Sequence, residues 1–122
     1  MPANKYPLIL DGALGTELMR RGLKLPLPLW SAEANITHQK DVISVHKDYV
    51  KAGADIITTN TFRSTTWTYK RAGFSIKRAT ERAKYSLMKA IESAYQSNPS
   101  IIAGSITSIY SLDSGSTNSP FI

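Results

Sequence analysis

The apolar side chains of this chain alternate between short continuous runs and longer stretches of helical spacing. Residues 6–10, Tyr-Pro-Leu-Ile-Leu, form a continuous run closed by Asp11-Gly12, the pattern of a strand buried on both faces. Residues 16–21 read as a short helix that Gly22 closes, and Pro26 and Pro28 make residues 23–30 a loop. Over residues 37–52, Val42, Val45, Tyr49 and Val50 recur at helical spacing ahead of Gly53, which predicts a helix of about four turns with a glycine cap. Residues 54–62, Ala-Asp-Ile-Ile-Thr-Thr-Asn-Thr-Phe, are rich in β-branched side chains and too short for a further helix, so they predict a second strand. Ile76, Ala79, Ala83, Leu87, Ala90, Ile91 and Ala94 then lie three or four apart until Asn98-Pro99 stops the pattern, a long helix. It leads into Ile-Ile-Ala-Gly-Ser-Ile at residues 101–106, the third predicted strand.

Strand, helix, strand, helix, strand is the order of an α/β fold with right-handed crossovers and a parallel sheet. The strands recur roughly every 46 residues, so the chain holds fewer than three complete units, whereas an eight-unit barrel takes ~250 residues. Residues 111–122 are Ser-rich and carry no periodic element, which reads as loop. Three parallel strands would leave two open edges, so the chain is expected to be marginal or aggregation-prone alone unless a partner chain covers them.

Composition narrows this picture. At 122 residues, 42% hydrophobic and 20% charged, the chain suits one folded domain or a piece of one. No apolar stretch reaches membrane-spanning length, and residues 1–5 lack the basic-then-apolar order of a signal peptide, so no membrane association and a cytoplasmic location are expected. There is no cysteine, which rules out disulfides and every thiolate metal site within these residues. The net charge of +6 is uneven: from Arg63 to Lys89 there are eight Lys or Arg residues and one acid, Glu81. Such a face can attract nucleic acid or an acidic membrane surface. On a helix with an apolar opposite side it is more often the solvated face, and that reading is preferred here. A non-enzymatic remnant or interaction module using this basic helix is the alternative function. His38 and His46 stand eight residues apart around a helix start without an acidic or thiol partner at ligand spacing, so neither reads as a metal ligand.

Three segments in this order, Leu10-Asp11-Gly12-Ala13-Leu14-Gly15-Thr16-Glu17-Leu18, Leu29-Trp30-Ser31-Ala32-Glu33, and residues 45–62 from Val45-His46 to Thr61-Phe62, resemble the homocysteine S-methyltransferase family. Ile102-Ala103-Gly104-Ser105-Ile106 is similar to that family's third strand. The resemblance implies the N-terminal portion, about three β/α units, of a (β/α)8 TIM barrel whose active site lies at the C-terminal strand ends. Asp11, Asn60 and Ser105 fall at such ends. It also implies the chemistry: homocysteine is deprotonated on a zinc held by three cysteines, and its thiolate takes a methyl group from a sulfonium or related donor to give methionine. A thiol needs such help at neutral pH, because the thiolate is the nucleophile. The family's zinc cysteines lie in its C-terminal half. Residues 1–122 are therefore expected to be a partial homocysteine-binding domain, truncated at the C-terminus, with no cofactor of its own and no activity by itself. His46 falls in the family's helix, away from the strand ends.

By resemblance, Asp11 matches the substrate-binding aspartate, and its carboxylate suits the amino group of homocysteine; a turn-forming role is the alternative. Gly12 would leave its backbone N–H open to the substrate carboxylate, with a plain turn requirement as the competing reason. Ala13 stands where many relatives carry a second glycine, which narrows the room around the turn. Trp30 matches an aromatic that faces the methyl donor, where an indole attracts a cation, or else it anchors packing. Asn60 and Thr61 would line the same mouth, with strand packing as the alternative for Thr61. Glu17, just inside a helix start, reads as a partner of the helix dipole.

Overall fold

The computed structural model describes residues 7–107. In chain order the elements are α1 (Gly15–Arg20), α2 (Ala34–Thr37), α3 (Gln39–Lys51), β1 (Ile56–Thr58), α4 (Thr66–Arg71), α5 (Ile76–Gln96) and β2 (Ile101–Ala103). β1 and β2 pair in parallel with Ile56 opposite Ile101, Ile57 opposite Ile102 and Thr58 opposite Ala103. Leu10 forms an isolated parallel bridge to Ile56. Since Ile56 has a partner on each side, β1 lies in the middle. The predicted first strand, residues 6–10, thus takes its expected place but shrinks to one bridge: Ile9 O accepts from Asp55 N and Ile56 N at 2.8 and 3.1 Å, and Asp11 N donates to Ile56 O at 3.0 Å. Its Tyr6 lies outside the described residues, as does the predicted loop at 111–122.

Both remaining strands are shorter than the β-branched runs suggest. After Thr58 the side chains compete for the backbone groups that a ladder would use. Thr59 N still donates to Ala103 O at 2.8 Å, but Thr61 N turns back to Thr59 O at 2.9 Å. The predicted second strand therefore ends at Thr58 rather than residue 62, and the third at Ala103 rather than residue 106. The helix predicted over residues 37–52 forms as α3, while Thr37 ends the separate α2, from which His38, at φ −136° and ψ 44°, divides it. There Thr37 Oγ1 donates to Glu33 O at 3.1 Å and lies 2.8 Å from His38 Nδ1. Gly22 and Gly53 sit where predicted, after α1 and α3, with φ of +98° and +113°, conformations that favour glycine.

α4 has no counterpart in the periodicity, because a helix of six residues offers one fully buried apolar side chain, Tyr69. It is set locally by the Thr65 cap, whose side chain accepts from Thr68 N at 3.1 Å, and it ends before Gly73 at φ +107°. α5 starts at the Ser75 cap, which accepts from Arg78 N at 3.3 Å, and stops before Asn98, at φ 56°. The buried face of α5 is made of small residues, Ala79, Ala83, Ser86, Ala90, Ser93 and Ala94. Ile76, Leu87 and Ile91, read as part of one apolar stripe, are exposed instead. Small side chains allow α5 to approach α2, α3 and α4 closely, while Leu87 and Ile91 line an open groove with Ile102 and Ile106 beside β2.

Two apolar clusters hold these elements. One joins Leu18, Ala34, Val42 and Val45, with Tyr49 packed against it. The other joins Ala32, Tyr69, Ala79 and Ala83, with Leu29 and Phe74 at its margin. Tyr69 and Phe74 meet edge to face at 5.7 Å, a favoured aromatic geometry. No helix among the described residues is long and apolar enough to cross a membrane.

Candidate functional site

The parallel sheet brings Asp11, residues 59–61 and Ser105 to one end. Asp11 is half-buried, and Thr58 fixes its carboxylate: Thr58 N donates to Oδ2 and Thr58 Oγ1 to Oδ1, both at 2.9 Å. Each oxygen has a lone pair to spare, so the group is oriented without being saturated.

The adjoining turn is gripped from α3. Tyr49 Oη donates to Ala13 O at 2.8 Å, and a Cβ on Gly12 would lie 2.8 Å from Tyr49 Oη and 3.1 Å from Tyr49 Cε1. The close approach that makes residue 12 a glycine is thus the Tyr49 ring, a neighbour within the chain. Burial pushes the Tyr49 hydroxyl above its ordinary value, and the charges of Glu17 and Asp11 act in the same direction, which keeps it protonated as a donor. Gly12 N–H donates to no protein group among the described residues.

Trp30 stands at φ 52°, a left-handed conformation that is costly for a bulky residue. Its N–H donates to Pro26 O at 3.0 Å, and its half-buried indole presses against Gly15 so closely that a Cβ there would overlap Nε1. The ring therefore anchors the loop to the start of α1, three residues beyond Gly12.

Asn60 and Thr61 turn inward. Asn60 Nδ2 donates to Ser31 O at 2.8 Å and Asn35 Oδ1 at 2.9 Å, while its Oδ1 accepts from Ser31 Oγ at 2.6 Å. Thr61 Oγ1 donates to Ser105 O at 2.6 Å and lies 2.8 Å from Thr59 Oγ1. Thr58, Tyr49, Ser31 and Asn35 were not singled out by sequence reasoning. Thr58 could have been: parallel pairing of residue 10 with residue 56 sets residue 58 beside Asp11. Nothing in the sequence pairs Asn35 with Asn60.

His46 lies in α3, as read from the sequence. It is fully buried, and neither ring nitrogen has a hydrogen-bond partner among the described residues. Burial pushes its pKa below the ordinary range, against the pull of the Asp11 charge. Glu17 is an ion-pair hub: hydrogen bonds from Arg20 and Arg21 lower its pKa to about 2, and Arg21 reaches on to Asp48 at 2.6 Å. Glu33 accepts from Tyr69 Oη at 2.9 Å and Arg82 at 2.6 Å, which ties the segment after Trp30 to α4 and α5.

No group of three His, Asp or Glu side chains suited to a metal ion occurs among the described residues, and the chain has no cysteine. Its donor set does not fit a thiolate-bound zinc.

Comparison with known proteins agrees with the segments quoted above. Residues 8–119 match the family model described as homocysteine S-methyltransferase. The chain is 41% identical over 86 residues to a selenocysteine Se-methyltransferase of Brassica oleracea var. italica, covering 70% of this chain and 24% of that protein. It is 40% identical over 88 residues to the homocysteine S-methyltransferase YbgG of Bacillus subtilis, covering 71% and 28%. The crystal structure of the homocysteine methyltransferase MmuM from Escherichia coli, in its oxidized form, superposes with a TM-score of 0.74 at 28% identity, over 85% of this chain and 38% of that one. The chain spans about a quarter of the length of the curated relatives it matches.

Proposed function

Because the chain belongs to the homocysteine S-methyltransferase family, we propose that these residues carry the homocysteine-binding side of a methyltransferase mouth, the first three β/α units of a barrel. Asp11 receives the substrate ammonium on the lone pairs that Thr58 leaves open, and the Gly12 N–H receives the α-carboxylate. The Trp30 indole borders the methyl donor, a sulfonium or related cation that an aromatic face attracts. Asn60 and Thr61 shape the rim through their backbone, since their side chains are already engaged. In the full reaction, the homocysteine sulfur forms a bond to the methyl carbon as the donor's own bond to it breaks, giving methionine. The zinc that would activate the thiol does not fit the donors present here, so these 122 residues bind substrate but do not turn it over.

The observation that carries this reading is the Asp11 carboxylate: fixed from one side by Thr58 at two points of 2.9 Å, at the C-terminal end of a parallel sheet, beside an unused backbone donor. Calorimetric titration of the chain with homocysteine, with metal analysis of the same sample, tests it. Homocysteine should bind without an equivalent of zinc. Asp11→Asn removes the charge and keeps the shape, which should weaken binding by ~10- to 100-fold, the value of one charge-assisted hydrogen bond. Unchanged affinity in Asp11→Asn would reduce the residue to a turn former and defeat the proposal.

A further inference from the structure

We infer that Asn35 is a positioning residue of this mouth, its buried amide clasping the segment that follows Trp30 to the end of β1. The functional consequence rests on the homocysteine-binding reading; the clasp itself does not.

Asn35 is fully buried. Its Nδ2 donates to Asn60 O at 2.8 Å and to Ser86 Oγ at 3.1 Å. Its Oδ1 accepts from Asn60 Nδ2 at 2.9 Å. The second proton of Asn60 goes to Ser31 O, and Asn60 Oδ1 accepts from Ser31 Oγ. All four amide protons of the pair are therefore used, and each carbonyl oxygen has a donor. Ser86 continues the network, donating to Ala32 O at 2.7 Å and lying 2.8 Å from Ser64 Oγ. One amide thus joins α2, the segment leaving β1 and the middle of α5.

The relative placement of the two rims is consequently set by directional bonds in a dry place, where an unmade bond costs the full desolvation of the group. Apolar contact alone would let residues 59–61 slide. It follows that Asn60 has no proton left for a ligand and serves as the other half of the clasp. Trp30, adjacent in sequence to Ser31, is delivered to the mouth by the same clasp.

The test uses the full chain labelled with 15N and follows hydrogen exchange of the Asn60 side-chain amide in the wild type and Asn35→Leu, with urea midpoints for these, Asn60→Ala and the double variant. Losing the Oδ1 that accepts from the Asn60 amide, together with the bond that holds Asn60 O, should speed Asn60 exchange by roughly tenfold in Asn35→Leu. Asn35→Leu and Asn60→Ala remove the same bond between the two side chains, so the double variant should lower the urea midpoint by less than the two single effects added together. Asn60 exchange that changes less than about twofold overturns the inference. So does a double variant whose loss equals that sum; should Asn35→Leu fail to fold, Asn35→Ser, which also lacks the amide, takes its place in both measurements. Homocysteine titration is the separate functional arm: if the wild type does not bind, the functional reading falls while exchange still judges the clasp. If the wild type binds, Asn35→Leu should bind several-fold more weakly with Asp11 intact, and equal affinity would deny Asn35 its positioning role.

Discussion

Gly12→Ala separates two reasons for a glycine at the mouth. The added Cβ would sit 2.8 Å from Tyr49 Oη, 3.1 Å from Cε1 and 3.2 Å from Cζ, inside the ~3.5–4.0 Å of comfortable carbon contact. The ring must retreat by about half an ångström or more, and the hydroxyl that moves is the one bonded to Ala13 O at 2.8 Å. Losing that bond costs about 0.5–1.5 kcal/mol, and overpacking adds to it within the usual 1–3 kcal/mol. A total near 2 kcal/mol should lower the thermal midpoint by ~6–10 °C for a chain of this size. In a Tyr49→Leu background the same substitution meets no hydroxyl, and its cost should fall below about 0.5 kcal/mol, a coupling that a double-mutant cycle by urea unfolding measures directly. An unchanged midpoint for Gly12→Ala, or an equal cost in both backgrounds, would refute Tyr49 as the reason. Should homocysteine affinity drop in the Tyr49→Leu background without any loss of stability, the substrate itself requires the glycine.

Gly53→Val forces a branched side chain into φ +113° and should cost at least ~1 kcal/mol, read as a lower urea midpoint. Burial holds His46 below its ordinary 6.5, so the unfolded chain takes up this proton before the native one does; stability is whole above about pH 6.5 and falls as pH drops toward the native value. His46→Leu should flatten that acid limb below about pH 6.5 and leave stability at pH 8 equal or higher, since orphaned buried nitrogens cost ~1 kcal/mol or more; thermal melts across pH check both. Glu17 acts in a lower window: with its pKa held at about 2, the stability it supplies is present above the unfolded carboxylate range and is lost as pH falls toward 2. Glu33→Gln weakens the contacts to Tyr69 and Arg82 and, with both charged partners about a third exposed, should cost ~1 kcal/mol and reduce the salt dependence of the urea midpoint.

The order of the three strand segments and of α1, α3 and α5 was legible along the chain, because apolar spacing reports how each segment faces a core, whatever that core contains; the short α2 and α4 were not. The same holds for Gly22 and Gly53, since a helix that ends in a left-handed residue is a local event. Asp11 was legible as a strand-end carboxylate for the same reason. The stopping points of β1 and β2 were not: they depend on threonine hydroxyls at 59 and 61 meeting backbone groups near residue 105, and a β-branched run looks alike with or without those partners. The break at His38 was hidden because Val42, Val45 and Tyr49 keep their spacing on one side of it. Sequence spacing put Ala79, Ala83, Ala90 and Ala94 on the inward stripe, but it could not tell that Ser86 and Ser93 join them while Leu87 and Ile91 stay exposed beside β2. That choice follows from how closely the neighbouring helices approach. The site shows the same division. Residue types announced a carboxylate, a glycine turn and an aromatic, but only the folded chain makes Tyr49 the neighbour of Gly12 and Asn35 the partner of Asn60. Hydrogen bonds across 25 or 36 residues form only when packing has brought both groups together, and neither partner carries any local mark of the other.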